Sequence, residues 1–264
     1  MNNQRLSLIY NLLRVFNDNT VGSVNYELAR FFLEQYQSIP TMNIYDASES
    51  NHVSRATVRR FCEQLGYSNF KELKEHFQDF NDGREKYRNF FSGDDFRVKL
   101  VRELVAMTDD LSMRMNTPET RSIIRSIIDS DQIIVLASSE TANAVRTFQQ
   151  EMVYFGKTIR IAADSNDIDA LRAQITERSL IMVISISGLF AKTIFSKLKN
   201  LPGNKVLFTL KRDVEFNQGF DKVYHLRTEN NEKVSSLIYY TYGIDFVLDI
   251  LFKEYLDVLY GDGN

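Results

Sequence analysis

The chain has 264 residues, 44% of them apolar and 25% charged, with 11 glycines and 3 prolines, which excludes a disordered, collagenous or continuously coiled-coil protein and leaves room for two domains of ordinary size. The formal charge is −3, so no protein-wide positive field attracts nucleic acid or anionic membrane, and any DNA binding must be local. The single cysteine, Cys62, excludes a disulfide framework and a cysteine-rich zinc site and suits a reducing cytoplasm.

Met1-Asn2-Asn3-Gln4-Arg5 lacks the apolar stretch of a signal peptide. The longest apolar run, residues 180–190, contains two serines and a glycine and is shorter than the about 20 residues a membrane span requires. A soluble, cytoplasmic protein with no membrane partner is expected.

Residues 1–80 read as a compact all-helical module. Ile9, Leu12, Leu13 and Phe16 recur at helical spacing, as do Leu28, Phe31 and Phe32 behind the candidate cap Asn25. A Ser-Ile-Pro-Thr break at 38–41 ends the second helix, two more are expected near 43–49 and 54–65, and a fifth starts near Asn69, where Asn69 and Glu72 stand at capping-box spacing ahead of Leu73 and Phe77. Residues 81–95 turn polar and irregular and read as a linker. From residue 96 an amphipathic helix carries Leu100, Leu104, Met107 and Leu111 on one stripe, and Thr117-Pro118-Glu119 is a helix start.

The pattern then changes. Apolar runs at 132–137, 158–161, 180–185, 205–209 and 222–226 alternate with helical stretches. Continuous hydrophobicity in such runs marks strands covered on both faces, so an α/β domain with a parallel sheet flanked by helices is expected over 96–264. Residues 234–260 are apolar nearly all round, which calls for a helix buried on most sides, in the domain or against another subunit.

Two segments carry chemistry. Residues 43–66 have the layout of a helix-turn-helix: Ala47 allows close helix approach, Val53 plugs the core and Ser54 caps the next helix. On that helix Val58, Phe61 and Leu65 share one face, leaving Arg55, Ala56, Arg59 and Arg60 on the other, where arginine forks can reach guanine edges or phosphates. Residues 1–80 hold eight Lys/Arg and nine Asp/Glu, yet between Ser50 and Cys62 there are three arginines and no acid. Charge alone suits an ordinary solvated face; the turn and the phase of the arginines favour DNA. Cys62 reads as a buried apolar residue, and His52 as a turn residue within reach of a phosphate.

The run Val53-Ser54-x-Ala56-Thr57-Val58-x-Arg60-Phe61-Cys62-x-x-Leu65-Gly66-Tyr67-Ser68-x-Phe70-Lys71-Glu72-Leu73-Lys74 resembles the N-terminal DNA-binding domain of RpiR-type bacterial transcription regulators, departing at Asn69, where the family often has glycine. The resemblance implies a surface of Ser54, Arg55, Thr57, Arg59 and Arg60 on double-stranded DNA, and a C-terminal SIS (sugar isomerase) domain with a five-stranded parallel sheet. It also implies a phosphosugar-like effector and a homo-oligomer, dimer or tetramer, controlling sugar or amino-sugar genes; neither enzymatic activity nor a cofactor is expected.

The second segment is a pair of strand ends where a ligand anion can sit. Ala137-Ser138-Ser139-Glu140-Thr141 follows the first strand and Ser185-Ile186-Ser187-Gly188-Leu189-Phe190 the third. Ser138, Ser139, Thr141, Ser185, Ser187 and Gly188 are the candidate ligand residues, since hydroxyls and free backbone N–H groups converge and Gly188 permits close approach. Ser185, Ser187 and Gly188 keep the SIS pattern Ser-x-Ser-Gly-x-Thr and Phe190 breaks it. The pattern Gly-x-Gly-x-Ser is read here as Ala137, Ser139 and Thr141, and Glu140 adds an anion. Asp164, Ser165 and Asn166 could line the same crevice.

These serines could equally be helix caps in a domain that only oligomerises. A sugar-phosphate isomerase is the other alternative, with Glu151, His225 and Glu232 as the nearest acid–base candidates. No metal cluster, nucleotide-binding glycine loop or nucleophilic triad is present in the sequence.

Overall fold

The computed structural model describes residues 8–75, 77–138, 141–162, 165–228 and 234–261, with the side chains of 78–82 and 165–167 also outside the description. Backbone contacts divide the chain into two compact units that part between Ser92 and Gly93.

The first unit is helical: α1 (Leu8–Asp18), α2 (Val24–Glu34), α3 (Ile44–Ser50), α4 (Arg55–Gln64), α5 (Phe70–Glu75) and α6 (Gln78–Phe90). The apolar stripes converge on one core, in which Leu12, Leu28, Phe32, Ile39, Ala47, Val58, Cys62 and Leu73 are fully enclosed. Phe32 stacks on Phe61 at 5.8 Å between ring centroids and meets Phe70 at 5.9 Å. The Asn11 amide donates to the Leu65 carbonyl at 3.2 Å, tying α1 to the end of α4.

Capping differs in detail from expectation. Ser23, not Asn25, caps α2, its hydroxyl accepting from the Tyr26 N–H, because the helix begins at Val24, two residues earlier than a cap at Asn25 implies. Asn69 accepts from the Glu72 N–H at 2.9 Å, but the Glu72 carboxylate reaches past it to the Ser68 N–H and hydroxyl at 2.6 Å. The reciprocal box lies instead at α3, between Asn43 and Asp46.

The segment 81–95, expected to be irregular, is helical as far as Phe90 in α6 (Gln78–Phe90), and the two units part within it, between Ser92 and Gly93. Gly83 costs a helix about 1 kcal/mol relative to alanine, but Arg84, Glu85, Lys86 and Arg88 are good helix formers, and Tyr87 and Phe90 pack on Phe91, at 6.5 Å and 4.9 Å.

The second unit opens with α7 (Phe96–Met115) and α8 (Pro118–Asp129). Thr117 caps α8 with Pro118 in its first turn. The sheet follows: β1 (Gln132–Ala137), α9 (Ala142–Tyr154), β2 (Ile159–Ala162), α10 (Ser165–Leu171), β3 (Ser179–Ile184), α11 (Leu189–Leu198), β4 (Asn204–Thr209) and β5 (Lys222–His225). A three-residue turn α12 (Ser236–Ile238), a π-helical segment Tyr239–Gly243 and α13 (Ile244–Tyr260) close the chain.

All pairings are parallel, in the order β2-β1-β3-β4-β5, with Ile133 opposite Ile159 and Leu180, and Val183 opposite Leu207. The order explains the sequence pattern. Central β1, β3 and β4 are buried along both faces, whereas the edge strands β2 and β5 are four residues long and carry Arg160 and Lys222. Ile134, Leu136, Ile181 and Val183 pack against Ile168, Ala191, Ile194 and Leu198 of α10 and α11. Burying each of these Ile, Leu and Val side chains contributes about 1.5–3 kcal/mol.

The C-terminal helix is less enclosed than its composition implies: Ile244, Val247, Leu248, Leu251 and Tyr255 are buried, but Val258, Leu259 and Tyr260 are exposed. Among the described residues no helix is long and apolar enough to cross a membrane.

Candidate functional site

The parallel order fixes where a ligand can enter. From β1 the chain goes to β2 on one side of the sheet, and from β3 to β4 on the other. The connections therefore diverge between β1 and β3, and in open α/β sheets the crevice forms at that switch point, beyond the carboxyl ends of the strands.

After β1, Ser138 Oγ is buried with no hydrogen-bond partner, which for a hydroxyl costs about 1–3 kcal/mol unless something fills the bond. Thr141 is fully buried and spends its hydroxyl and N–H on the Ser138 carbonyl, at 3.1 Å and 3.0 Å, so it closes the turn rather than presenting a donor. Ser139 and Glu140 lie outside the described residues, as does Asp164; of Ser165 and Asn166 only the backbone, at the start of α10, is described.

After β3, Ser185 Oγ is buried and accepts from the Ala191 N–H at 3.1 Å, a cap for the first turn of α11. Ser187 Oγ accepts from the Leu189 N–H at 3.4 Å, while the Ser187 N–H donates to the Tyr240 hydroxyl at 3.2 Å. Gly188 has a φ of 79°, and a Cβ built there would stand 2.8 Å from Lys211 Cβ. Phe190 packs against the α10/α11 core.

Two residues that sequence reasoning missed belong to this place, Tyr240 and Lys211. Lys211 is exposed, its stem lies against Gly188, and its N–H donates to Thr209 Oγ1 at 3.0 Å. Its position two residues past β4 was the available signal, through the rule that ligands gather at strand ends. Lys192 of α11 is instead paired with Asp213 at 2.6 Å; their hydrogen bond holds the carboxyl below the usual carboxylate range and lifts the ammonium.

The acid–base candidates are scattered. Glu151 lies nine residues into α9, about 14 Å down the axis from the switch point at 1.5 Å per residue; burial and nearby Asp249 push its pKa up. His225 ends β5, two strands from β3 and so about 10 Å away. Its Nδ1 is buried without a partner, and desolvation, with Arg212 and Arg114 nearby, lowers its pKa. Glu232 lies outside the described residues.

In the helical unit, α3 and α4 are joined by a short turn. Asn51 donates to the Ala47 carbonyl at 2.9 Å, His52 adopts a φ of 51°, and the Val53 N–H returns to the Ser48 carbonyl at 3.0 Å. Ser54 then caps α4, its hydroxyl accepting from the Thr57 N–H at 3.1 Å and lying 2.9 Å from the Thr57 hydroxyl. Val58, Phe61 and Cys62 are buried, and Arg55, Ala56, Arg59 and Arg60 are exposed. Burial pushes the Cys62 thiol up to about 12, which suits a packing role in the core.

The three arginines are not equivalent. Arg55 lies over the Tyr45 ring at 4.8 Å and donates to its hydroxyl at 2.9 Å; Arg59 pairs with Glu63 at 3.2 Å. Arg60 has no partner among the described residues. Among those residues no group of three or more His, Cys, Asp or Glu is placed to hold a metal.

No protein-family model matches the chain, and no curated protein matches it. Similar solved structures include the Vibrio vulnificus NanR protein complexed with ManNAc-6P, at 15% identity over 97% of this chain and 94% of that one, with a TM-score of 0.49. The sugar isomerase domain of an RpiR transcription factor from Sphaerobacter thermophilus is 15% identical over 61% of this chain and 91% of that one, with a TM-score of 0.46. A hypothetical protein from Methanococcus jannaschii, whose structure infers a 3-hexulose-6-phosphate isomerase function for it, is 14% identical over 70% and 91%, with a TM-score of 0.40.

Proposed function

We propose that the chain is a DNA-binding transcription regulator of RpiR type, acting by binding rather than turnover, whose second unit is an SIS-like sensor for a phosphosugar-like anion. The observation that carries this reading is the division of α4. One face, Val58, Phe61 and Cys62, is buried in the unit, and the other presents Arg55, Arg59 and Arg60 behind the Ser54 cap with no intervening acid. Such a helix can lie in the major groove with arginines on guanine edges and phosphates and its N-terminal amides on the backbone.

The sensor reading is supported by the unpartnered Ser138 hydroxyl and the Gly188 loop at the switch point. Transmission through α7 is supported by two buried carboxylates. Asp110 accepts from the Thr228 N–H at 3.0 Å and lies 3.5 Å from the Tyr239 hydroxyl, and Glu103 accepts from the Ser235 N–H at 3.0 Å. A ligand that moves the segment after β5 therefore loads α7, and coupling of that kind is typically about 1–3 kcal/mol. Assembly as a cytoplasmic dimer or tetramer is supported by the exposed apolar residues Val153, Tyr154, Leu259 and Tyr260 around the Phe155–Tyr260 contact at 6.2 Å.

The test is selection of bound fragments from sheared genomic DNA, comparing the wild type with a variant carrying Arg55→Ala, Arg59→Ala and Arg60→Ala. The wild type is expected to enrich a two-fold symmetric site, with half-sites about 10 base pairs or a multiple apart, and the variant none. Enrichment by neither sinks the reading. Loss of three phosphate or base contacts also lowers the salt slope of binding by up to about 3.

A further inference from the structure

A loop that binds an anion through its backbone leaves N–H groups open at the start of the following helix. In the β3–α11 loop one of these is already taken. The Ser187 N–H donates to the Tyr240 hydroxyl at 3.2 Å, across 53 residues of chain. Tyr240 sits in the π-helical segment Tyr239–Gly243, and single-turn π segments are rare and concentrate at functional sites.

Around this contact the loop is tightly packed against the chain that follows β4. Gly188, the next residue, holds a left-handed φ of 79° with Lys211 Cβ 2.8 Å from where its own Cβ would be. The Lys211 stem therefore lies on the loop, and the side chain is exposed. Across the switch point, Ser138 Oγ is buried without a partner. An amide held by a phenol, an exposed cation and an orphan hydroxyl thus follow the carboxyl ends of β3, β4 and β1.

We propose that Tyr240 sets the affinity of this crevice: its hydroxyl holds the Ser187 N–H in place of a ligand oxygen, and an anionic group, the phosphate of a phosphomonoester or inorganic phosphate, displaces it. The proposal rests on the ligand-site reading above. A sugar hydroxyl is an acceptor of about the same strength as the phenol and gains nothing by the exchange, because the phenol is tethered and always at hand. A phosphate oxygen accepts in a charge-assisted bond about twice as strong as a neutral one, with Lys211 as its counter-charge.

The experiment is backbone-amide NMR of the full chain with inorganic phosphate as probe, in the wild type, Tyr240→Phe, Gly188→Ala and Lys211→Ala. The Ser187 amide resonance is expected to move on phosphate addition. Tyr240→Phe keeps the ring and removes only the competing oxygen, and it should bind phosphate about two- to tenfold more tightly, the worth of one neutral hydrogen bond. Gly188→Ala should abolish binding. Lys211→Ala, which keeps the Cβ beside Gly188 and removes the ammonium, should weaken binding.

Equal or weaker binding by Tyr240→Phe, with the Gly188 and Lys211 variants impaired, overturns the role of Tyr240 while the loop remains the ligand site. Phosphate that moves no Ser187 amide in any variant, or binds the Gly188 and Lys211 variants as well as the wild type, overturns the ligand-site reading and the proposal together.

Discussion

The two units place their polar chemistry in opposite ways. In the helical unit the candidate groups are long side chains standing out from α4, and two of the three arginines are already engaged, Arg55 with Tyr45 and Arg59 with Glu63. In the α/β unit the candidates are backbone amides and short hydroxyls at strand ends, and their partners come from far along the chain, as Tyr240 does to Ser187. A side-chain surface can be read from helical phase alone. A backbone crevice exists only once the sheet order has been set.

The strongest way to break this comparison is to unfold one unit and watch the other. Phe61 is 2% exposed and stacks on Phe32 in the core of the helical unit. Phe61→Ala removes a ring from a packed interior and is expected to cost that unit about 3–5 kcal/mol. Calorimetry should then show the helical unit melting early while the α/β transition keeps its midpoint. A matching fall in both transitions would mean that the two units fold as one.

A smaller effect is confined to the α/β unit. At the end of β5, burial first and then Arg212 and Arg114 lower the pKa of His225 below the ordinary 6.5. An unfolded chain protonates this histidine more readily than the folded one, so stability falls as pH drops through about 6.5. It levels off only below the folded-state value. His225→Asn should flatten that slope in urea unfolding of the α/β unit between about pH 7 and 5. A slope unchanged by the substitution would place its origin elsewhere.

How much of this was legible follows the same division. The run Gln132-Ile133-Ile134-Val135-Leu136-Ala137 reads as a strand buried on both faces because β1 is central, and Ser54 reads as a cap because its partner, the Thr57 N–H, is three residues away. Local chemistry is visible in sequence. By contrast, nothing local shows that Ser185 is consumed in capping α11, that Thr141 closes its own turn, or that Phe190 turns into the core. These depend on where a loop leaves the sheet. The helix at Gln78–Phe90 hid for a different reason: its residues are polar enough to read as linker, and its aromatic contacts fall at the very end.

The smallest expected effect lies in the turn between α3 and α4, where local legibility can be tested at one residue. His52 has a φ of 51°, the one non-glycine among the described residues with a positive value. The left-handed region costs an L-residue about 1–2 kcal/mol, less for a residue such as histidine that visits it more readily, and glycine reaches it without that strain. Glycine also has more freedom to lose from the unfolded chain, by about 0.5–1 kcal/mol. His52 is exposed, so its removal leaves no cavity, and the two terms nearly offset. His52→Gly is therefore expected to raise the stability of the helical unit by no more than about 1 kcal/mol in urea unfolding. A loss of more than that would mean that the imidazole itself braces the turn, and that the spacing of α3 and α4 depends on a side chain rather than on the backbone conformation it adopts.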